Sequence, residues 1–251
     1  MQVTRRQLVS LLVTGTLLLG LGNGFQALAQ VEGLPSGVAA LVVASVPAWA
    51  VVLRLCTGDR PPAATLLGVA VGFGGLVLLV ALGRGIGGAM PLVGVLLCLG
   101  SSVAWTVGSY LQGELELPDD IFTIAAYQQL VAATCSSALA VVTGERFSMD
   151  YTARGWFGLA YLVVACSIVA FLAFAWLLTH VPLSLTATHA YVNPVVAVGL
   201  GWLVLGEPIT VAVAIGGGVV VGAVVLIVSA ENSPATHAPL TSEDIVAERP
   251  V

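Results

Sequence analysis

Apolar residues run through this chain in stretches of about 20, the length a helix needs to cross roughly 30 Å of hydrocarbon at 1.5 Å per residue. Such runs occupy 8–29, 35–55, 63–82, 90–111, 121–143, 155–179, 184–205 and 210–230. They predict an all-α polytopic membrane bundle of about eight transmembrane helices. Short breaks carrying Pro, Gly or charge separate them: Glu32 to Pro35, Asp59 to Pro62, Gly83 to Gly88, Glu114 to Asp120, Gly144 to Arg154, and His180 to Pro182. Connections this short make successive helices antiparallel neighbours. An even number of spans returns both termini to one side of the membrane.

Composition agrees with lipid as the solvent. Hydrophobic residues make up 58% and charged residues 8%, with a mean hydropathy of +1.04. Soluble domains carry about 25% charge, so a soluble fold is excluded. The net charge of −5 resides in loops and the tail and says little about partners. Nucleic acid is not an expected partner; the lipid bilayer and a small-molecule substrate are. With both termini cytoplasmic, the inside holds Arg5, Arg6, Arg54, Arg60 and Arg249, and the outside holds Arg84, Arg146 and Arg154. That bias follows the positive-inside rule. Residues 231–251 turn polar, with Pro234, Pro239 and Pro250, and are expected to form a disordered cytoplasmic tail. Arg5-Arg6 ahead of an apolar run and Ala27-Leu28-Ala29 imitate a cleavable signal. The polar Asn23, Gln26 and Gln30 instead favour a retained helix that faces polar partners.

Cys56, Cys98, Cys135 and Cys166 are widely spaced, with no metal-ligand or redox spacing, so they predict buried thiols and no metal or cofactor. An intramembrane enzyme would need a nucleophile with its base, paired carboxylates or a metal cluster. No such motif occurs, and no enzymatic activity is expected.

Two stretches resemble each other: residues 34–80, opening LPSGVAALVVASVPAW, and residues 181–228, opening VPLSLTATHAYVNPVV. Pro35 matches Pro182 and Pro47 matches Pro194; after a one-residue gap, Gly58, Gly68 and Gly74 match Gly206, Gly216 and Gly222. Five helices separate the copies, an odd number, so they enter the membrane from opposite sides. Inverted repeats of this kind are typical of secondary transporters, whose substrate sites lie near the midplane. Pro47 and Pro194 each fall inside an apolar run, where a proline frees a backbone carbonyl that must find protein or water.

Polar stripes mark where a pathway would run. Thr186, His189 and Asn193 share one face of the seventh run, with Tyr191 beside them. Asn23 and Gln26 share one face of the first run, and Ser101, Trp105 and Ser109 one face of the fourth. Trp49, Trp105, Tyr110, Tyr127, Trp176 and Tyr191 would add aromatic walls or sit at the lipid interface. Hydrogen bonding between helices is the better explanation of any single polar residue, and the three stripes together point to a partly hydrated central cavity. His189 is the one titratable group deep in a span, fitting either proton coupling or a structural hydrogen bond. Gly68 with Gly72 and Gly218 with Gly222 form GxxxG pairs and are assigned to helix packing.

These residues resemble the drug/metabolite transporter superfamily, in particular its ten-helix EamA-domain permeases. The likeness rests on Gly22-Asn23-Gly24, LPSGVAALVVASVP at 34–47, GSSVAWTVGS at 100–109 and AYVNPVVAVGLGWLVLGEPIT at 190–210. It implies inverted halves, divided here into an incomplete first repeat at 1–83 and a second at 90–230. It also implies a multi-pass protein of a bacterial inner membrane that moves metabolites, amino acids or drugs, often outward. The chain departs from the pattern by opening at the family's third helix. Either coding sequence lies upstream, or this is an eight-helix form whose open flank is filled by a second copy or by partner helices. A truncated or structural product without transport is the competing expectation.

Overall fold

The computed structural model describes residues 3–58, 61–86, 91–142, 144, 149–170 and 189–231, without the side chains of 83–86, 189–191 and 231. The tail expected to be disordered, the second half of the run 155–179 and the start of the run 184–205 lie outside the described residues.

The structure is an all-α membrane bundle. In chain order its helices are α1 (Arg5–Val31), α2 (Ser36–Val43), α3 (Val46–Cys56), α4 (Ala63–Ile86), α5 (Leu92–Glu114), α6 (Ile121–Val142), α7 (Ala153–Ala170), α8 (His189–Leu200) and α9 (Val211–Glu231). Among the described residues seven helical spans are long and apolar enough to cross a bilayer, with α2 and α3 together forming one of them. The shorter apolar stretch Val192–Leu205 adds part of another.

Local chemistry sets the ends. Thr4 and Gln7 form a reciprocal capping box at the start of α1, with Gln7 N donating to Thr4 Oγ1 at 3.2 Å and Thr4 N to Gln7 Oε1 at 3.0 Å. Asp120 caps α6 by accepting from Thr123 N at 3.1 Å and Thr123 Oγ1 at 2.6 Å. The Thr123 hydroxyl is the main reason its carboxyl titrates below the ordinary range. The matched glycines Gly58 and Gly206 both take positive φ, 90° and 69°, just after a helix ends. That is a conformation L side chains rarely adopt.

Three stretches wind more loosely, with π-type hydrogen bonding: Thr16–Asn23 within α1, Leu162–Ala170 ending α7, and Gly201–Leu205 continuing α8. The run expected as one helix over 35–55 is two helices, broken at Ala44-Ser45 just before Pro47.

Leu79, Val42, Cys98 and Ala29, all fully buried, centre the core where α2, α4, α5, α9 and the end of α1 meet. α4 and α9 make the most extensive helix pair. Gly68 lies against Ile227, Gly72 and Gly75 against Ala223 and Val220, and Gly216 against Leu79. The partner number falls as the α4 number rises, so the two helices are antiparallel. Gly218 and Gly222, expected to pack as a GxxxG pair, meet nothing among the described residues within 4 Å of where a β-carbon would stand. The packing glycines of α9 are Gly216 and Gly217, on another face. The expectation of four buried thiols is likewise corrected: Cys98 is buried, and Cys56, Cys135 and Cys166 are exposed. Burial fades toward α6 and α7; α6 buries only Gln128, and α7 buries no residue. Apolar side chains on such helices face lipid at no cost.

Candidate functional site

The site grows from two interrupted helices. At the first, Ser45 N bonds Val42 O at 3.0 Å in a tight turn, and Pro47 enters the first turn of α3 without an N–H to give. Thr106 of α5 reaches across to Val46 O at 3.4 Å while also bonding Ser102 O at 2.8 Å, tying the break to α5. The Ser45 hydroxyl and the Trp49 indole N–H are buried beside it without a partner among the described residues. The Trp49 ring stands edge-on to Phe73, with centroids 5.0 Å apart and planes at 78°.

At the second, Pro194 lies inside α8, and the chain loosens over Gly201–Leu205 before turning at Gly206. The Glu207 side chain then crosses to α2. Its carboxylate accepts from Ser36 N at 2.7 Å and Gly37 N at 3.0 Å, the first amides of α2. These amides lack acceptors within their own helix and carry the positive end of its dipole, so an anion is the preferred cap. Burial pushes the Glu207 carboxyl up, but donation from the Gly37 and Ser36 amides and the Ser36 hydroxyl outweighs it, and the group titrates below its ordinary value. Gly201 makes room: a β-carbon there would lie 2.6 Å from Glu207 Oε2. Gly201 faces Ser36, Gly37 faces Val198, and Leu41 shares a cavity with Pro194, so α2 and α8 also run antiparallel.

Two apolar cavities flank α2. The larger, about 520 Å³, is lined by Val42, Trp49, Phe73, Leu76, Val95 and Leu99 among others. The smaller, about 250 Å³, is lined by Leu41, Pro194, Val198, Val213 and Gly217 among others. Successive residues on a helix point about 100° apart, which is how Leu41 and Val42 serve different cavities.

The sequence-predicted residues are thus distributed. Trp49 lines the larger cavity and buried Pro194 the smaller; Pro47 is half-buried at the break between them. Asn193 and Asn23 are exposed, Gln26 is half-buried, and Trp105 packs beside Gly22 with 38% of its surface exposed. Thr186 lies outside the described residues, as do the side chains of His189 and Tyr191, whose backbone begins α8.

Sequence reasoning missed the roles of three polar groups. Buried Gln128 donates to Thr14 Oγ1 and Gln112 Oε1, both at 2.9 Å, joining α1, α5 and α6. Glu207 was legible as a helix-end residue and no more. Ser101, assigned to a polar stripe, bonds Gly22 O at 2.7 Å and so serves helix association. Among the described residues no group of His, Cys, Asp or Glu is arranged to hold a metal ion.

Apolar spans paired antiparallel, one restarted at Pro47 and another carrying Pro194 within it, fit a polytopic α-helical membrane transporter, a permease and not an enzyme. Residues 92–229 match the EamA-like transporter family. The chain is 32% identical over 222 residues to the uncharacterized inner membrane transporter YedA of Escherichia coli K12, covering 88% of this chain and 71% of that protein. It is 27% identical over 211 residues to the uncharacterized transporter YvbV of Bacillus subtilis 168, covering 82% and 67%. The chain belongs to the EamA-like transporter family, and is a multi-pass membrane protein of the drug/metabolite transporter superfamily.

Proposed function

We propose that this transporter moves small neutral, zwitterionic or amphipathic solutes by alternating access, with residues 1–83 and 90–230 acting as two inverted repeats that rock about a midplane site near Pro47 and Asn193-Pro194. The antiparallel contacts of α4 with α9 carry the proposal. They are related by the same residue offset that aligns the two copies, since Gly68 matches Gly216 and Leu79 matches Ile227. A pseudo-two-fold axis in the membrane plane is the geometry on which such transporters alternate. The family match over 92–229 falls within the second repeat and supports that division. Apolar cavity walls favour solutes without multiple charges. Asn23, Gln26, Trp49, Trp105, Thr186, His189, Tyr191 and Asn193 are proposed to line the route, with both termini cytoplasmic.

Counterflow of radiolabelled amino acids, metabolites and cationic dyes in proteoliposomes tests this reading. Asn193→Ala and His189→Ala are expected to impair flux while membrane insertion stays intact. Unchanged transport of an identified solute in both variants would remove the site assignment.

The lack of buried residues on α7 favours a second reading, in which the chain needs a second copy or partner helices against that face before it transports. Absence of exchange by the purified chain, restored when a partner is co-reconstituted, would select it.

A further inference from the structure

We propose that Glu207 is a positioning residue that latches the α2–α8 seam shut at one membrane face, and that the seam opens there only when the carboxylate leaves the α2 amides. The inference rests on the alternating-access reading above and adds to it the group that holds one gate.

The contact joins the two copies of the repeat across 171 residues of chain, so it fixes the relative position of the two bodies that must move. It lies at the seam's end: Ser36 and Gly37 open α2, and Glu207 directly follows the turn that closes α8. Deeper along the same seam come Val198 against Gly37 and Leu41 near Pro194, where the smaller cavity begins. Because α1 crosses the bilayer before α2 begins, this end lies on the face opposite the chain's N-terminus.

The residues around the carboxylate are shaped to it. Gly201 leaves the space that Oε2 occupies, Gly206 supplies the left-handed turn that aims the side chain, and Ser36 and Gly37 present two adjacent amides. Charge-assisted bonds to a helix N-terminus are strong for their size, yet they can be released without disturbing either helix interior. Helix capping alone would be served by a local Ser, Thr or Asp at the position Pro35 holds. A carboxylate brought from the opposite repeat adds a link between moving parts.

The test reads the seam directly and needs no substrate. Cys56, Cys135 and Cys166 are replaced by serine, and a reporter cysteine is placed at the half-buried Val198 (V198C). A membrane-impermeant maleimide is then applied from the face opposite the N-terminus. With Glu207→Ala the reporter is expected to label about tenfold faster, and with Glu207→Gln, which keeps one acceptor and loses the charge, about threefold faster. Gly201→Ala, whose added β-carbon displaces the carboxylate, is expected to act like Glu207→Ala. A control cysteine at exposed Met149, which lies on that same face between α6 and α7, should label at one rate throughout. Unchanged Val198 labelling in Glu207→Ala and Gly201→Ala overturns the latch and leaves Glu207 a simple cap. If Glu207→Ala fails to insert, Glu207→Gln and Gly201→Ala decide by the same criterion. Faster labelling in a chain that exchanges no solute keeps the latch and counts against transport; unchanged labelling in a chain that transports counts against the latch alone.

Discussion

Gly216 lies against Leu79 so closely that a β-carbon on the glycine would stand 2.6 Å from the leucine Cα. Gly68 and Ile227, which stand at the matched sequence offset from these residues, also meet closely, with a β-carbon on the glycine 2.6 Å from the Ile227 side chain. Gly72 faces Ala223 and Gly75 faces Val220 between them, so the two contacts repeat about a centre midway along both helices. Without a hydrophobic force between helices in lipid, such close approach is what holds α4 to α9.

Gly216→Ala is therefore expected to destabilise the protein by about 1–3 kcal/mol, because the obstruction is backbone and cannot rotate away. Gly68→Ala should cost less, since the nearest atom is the Ile227 Cγ1, which can turn aside. Gly218→Ala and Gly222→Ala should be silent. Thermal unfolding of the four variants in detergent checks this order, and equal effects at 216 and 218 would contradict the packing described.

The buried polar knot of Gln128, Thr14 and Gln112 supplies a second prediction. Gln128→Leu removes two interhelical hydrogen bonds but leaves Thr14 Oγ1 its bond to Ser10 O at 2.8 Å. Interhelical hydrogen bonds in membranes average about 0.6 kcal/mol, because separated helices find other partners. A loss of about 1 kcal/mol is expected, with Thr14→Val adding little in the Gln128→Leu background. A double-mutant cycle measures the coupling, and additive losses would mean that the two side chains do not interact.

The apolar spans were legible because a bilayer imposes a length on every crossing helix. The break at Ala44-Ser45 was half visible: Pro47 marked the place, but proline alone does not distinguish a kink from a new helix start. The glycines of α9 misled because that helix is apolar all round, and nothing in the pattern says which glycine face meets α4. Glu207 escaped for a different reason. Its partners at Ser36 and Gly37 are brought close only by tertiary packing, and no local spacing encodes that. The loosened turns at Thr16–Asn23 had no signal at all.

Those turns lead to a third prediction. A π-type segment displaces the helical hydrogen-bond ladder and frees carbonyls, and in α1 the Gly22 carbonyl is taken by the Ser101 hydroxyl. Ser101 is buried, at 3% exposure, so no water replaces it. Ser101→Ala should cost about 1–3 kcal/mol, the range for an orphaned buried acceptor. Gly22→Ala should also destabilise, by driving a methyl to 3.1 Å from the Trp105 ring. Proteolytic susceptibility of α1 in detergent reports both, and neither change should alter the rest of the bundle's protection.

The fourth prediction concerns pH. Burial would raise the Glu207 carboxyl, but the donors of Gly37 and Ser36 win and hold it below its ordinary value of 4.5. A group whose folded pKa is depressed stabilises the fold fully above its unfolded pKa and loses that contribution as pH falls through the folded value. The stabilisation from Glu207 is thus complete at neutral pH, unchanged down to about pH 5.5, and lost only in more acid solution. Asp120, also depressed, titrates in the same direction and would blur a single melting curve. The difference in melting temperature between the wild-type chain and Glu207→Gln removes that overlap, because Asp120 is common to both. That difference should stay level from about pH 8 to pH 5.5 and shrink below about pH 4. A difference that instead grows on acidification would mean that the α2 amides prefer the protonated acid, which a helix N-terminus cannot do while its dipole points at the carboxyl.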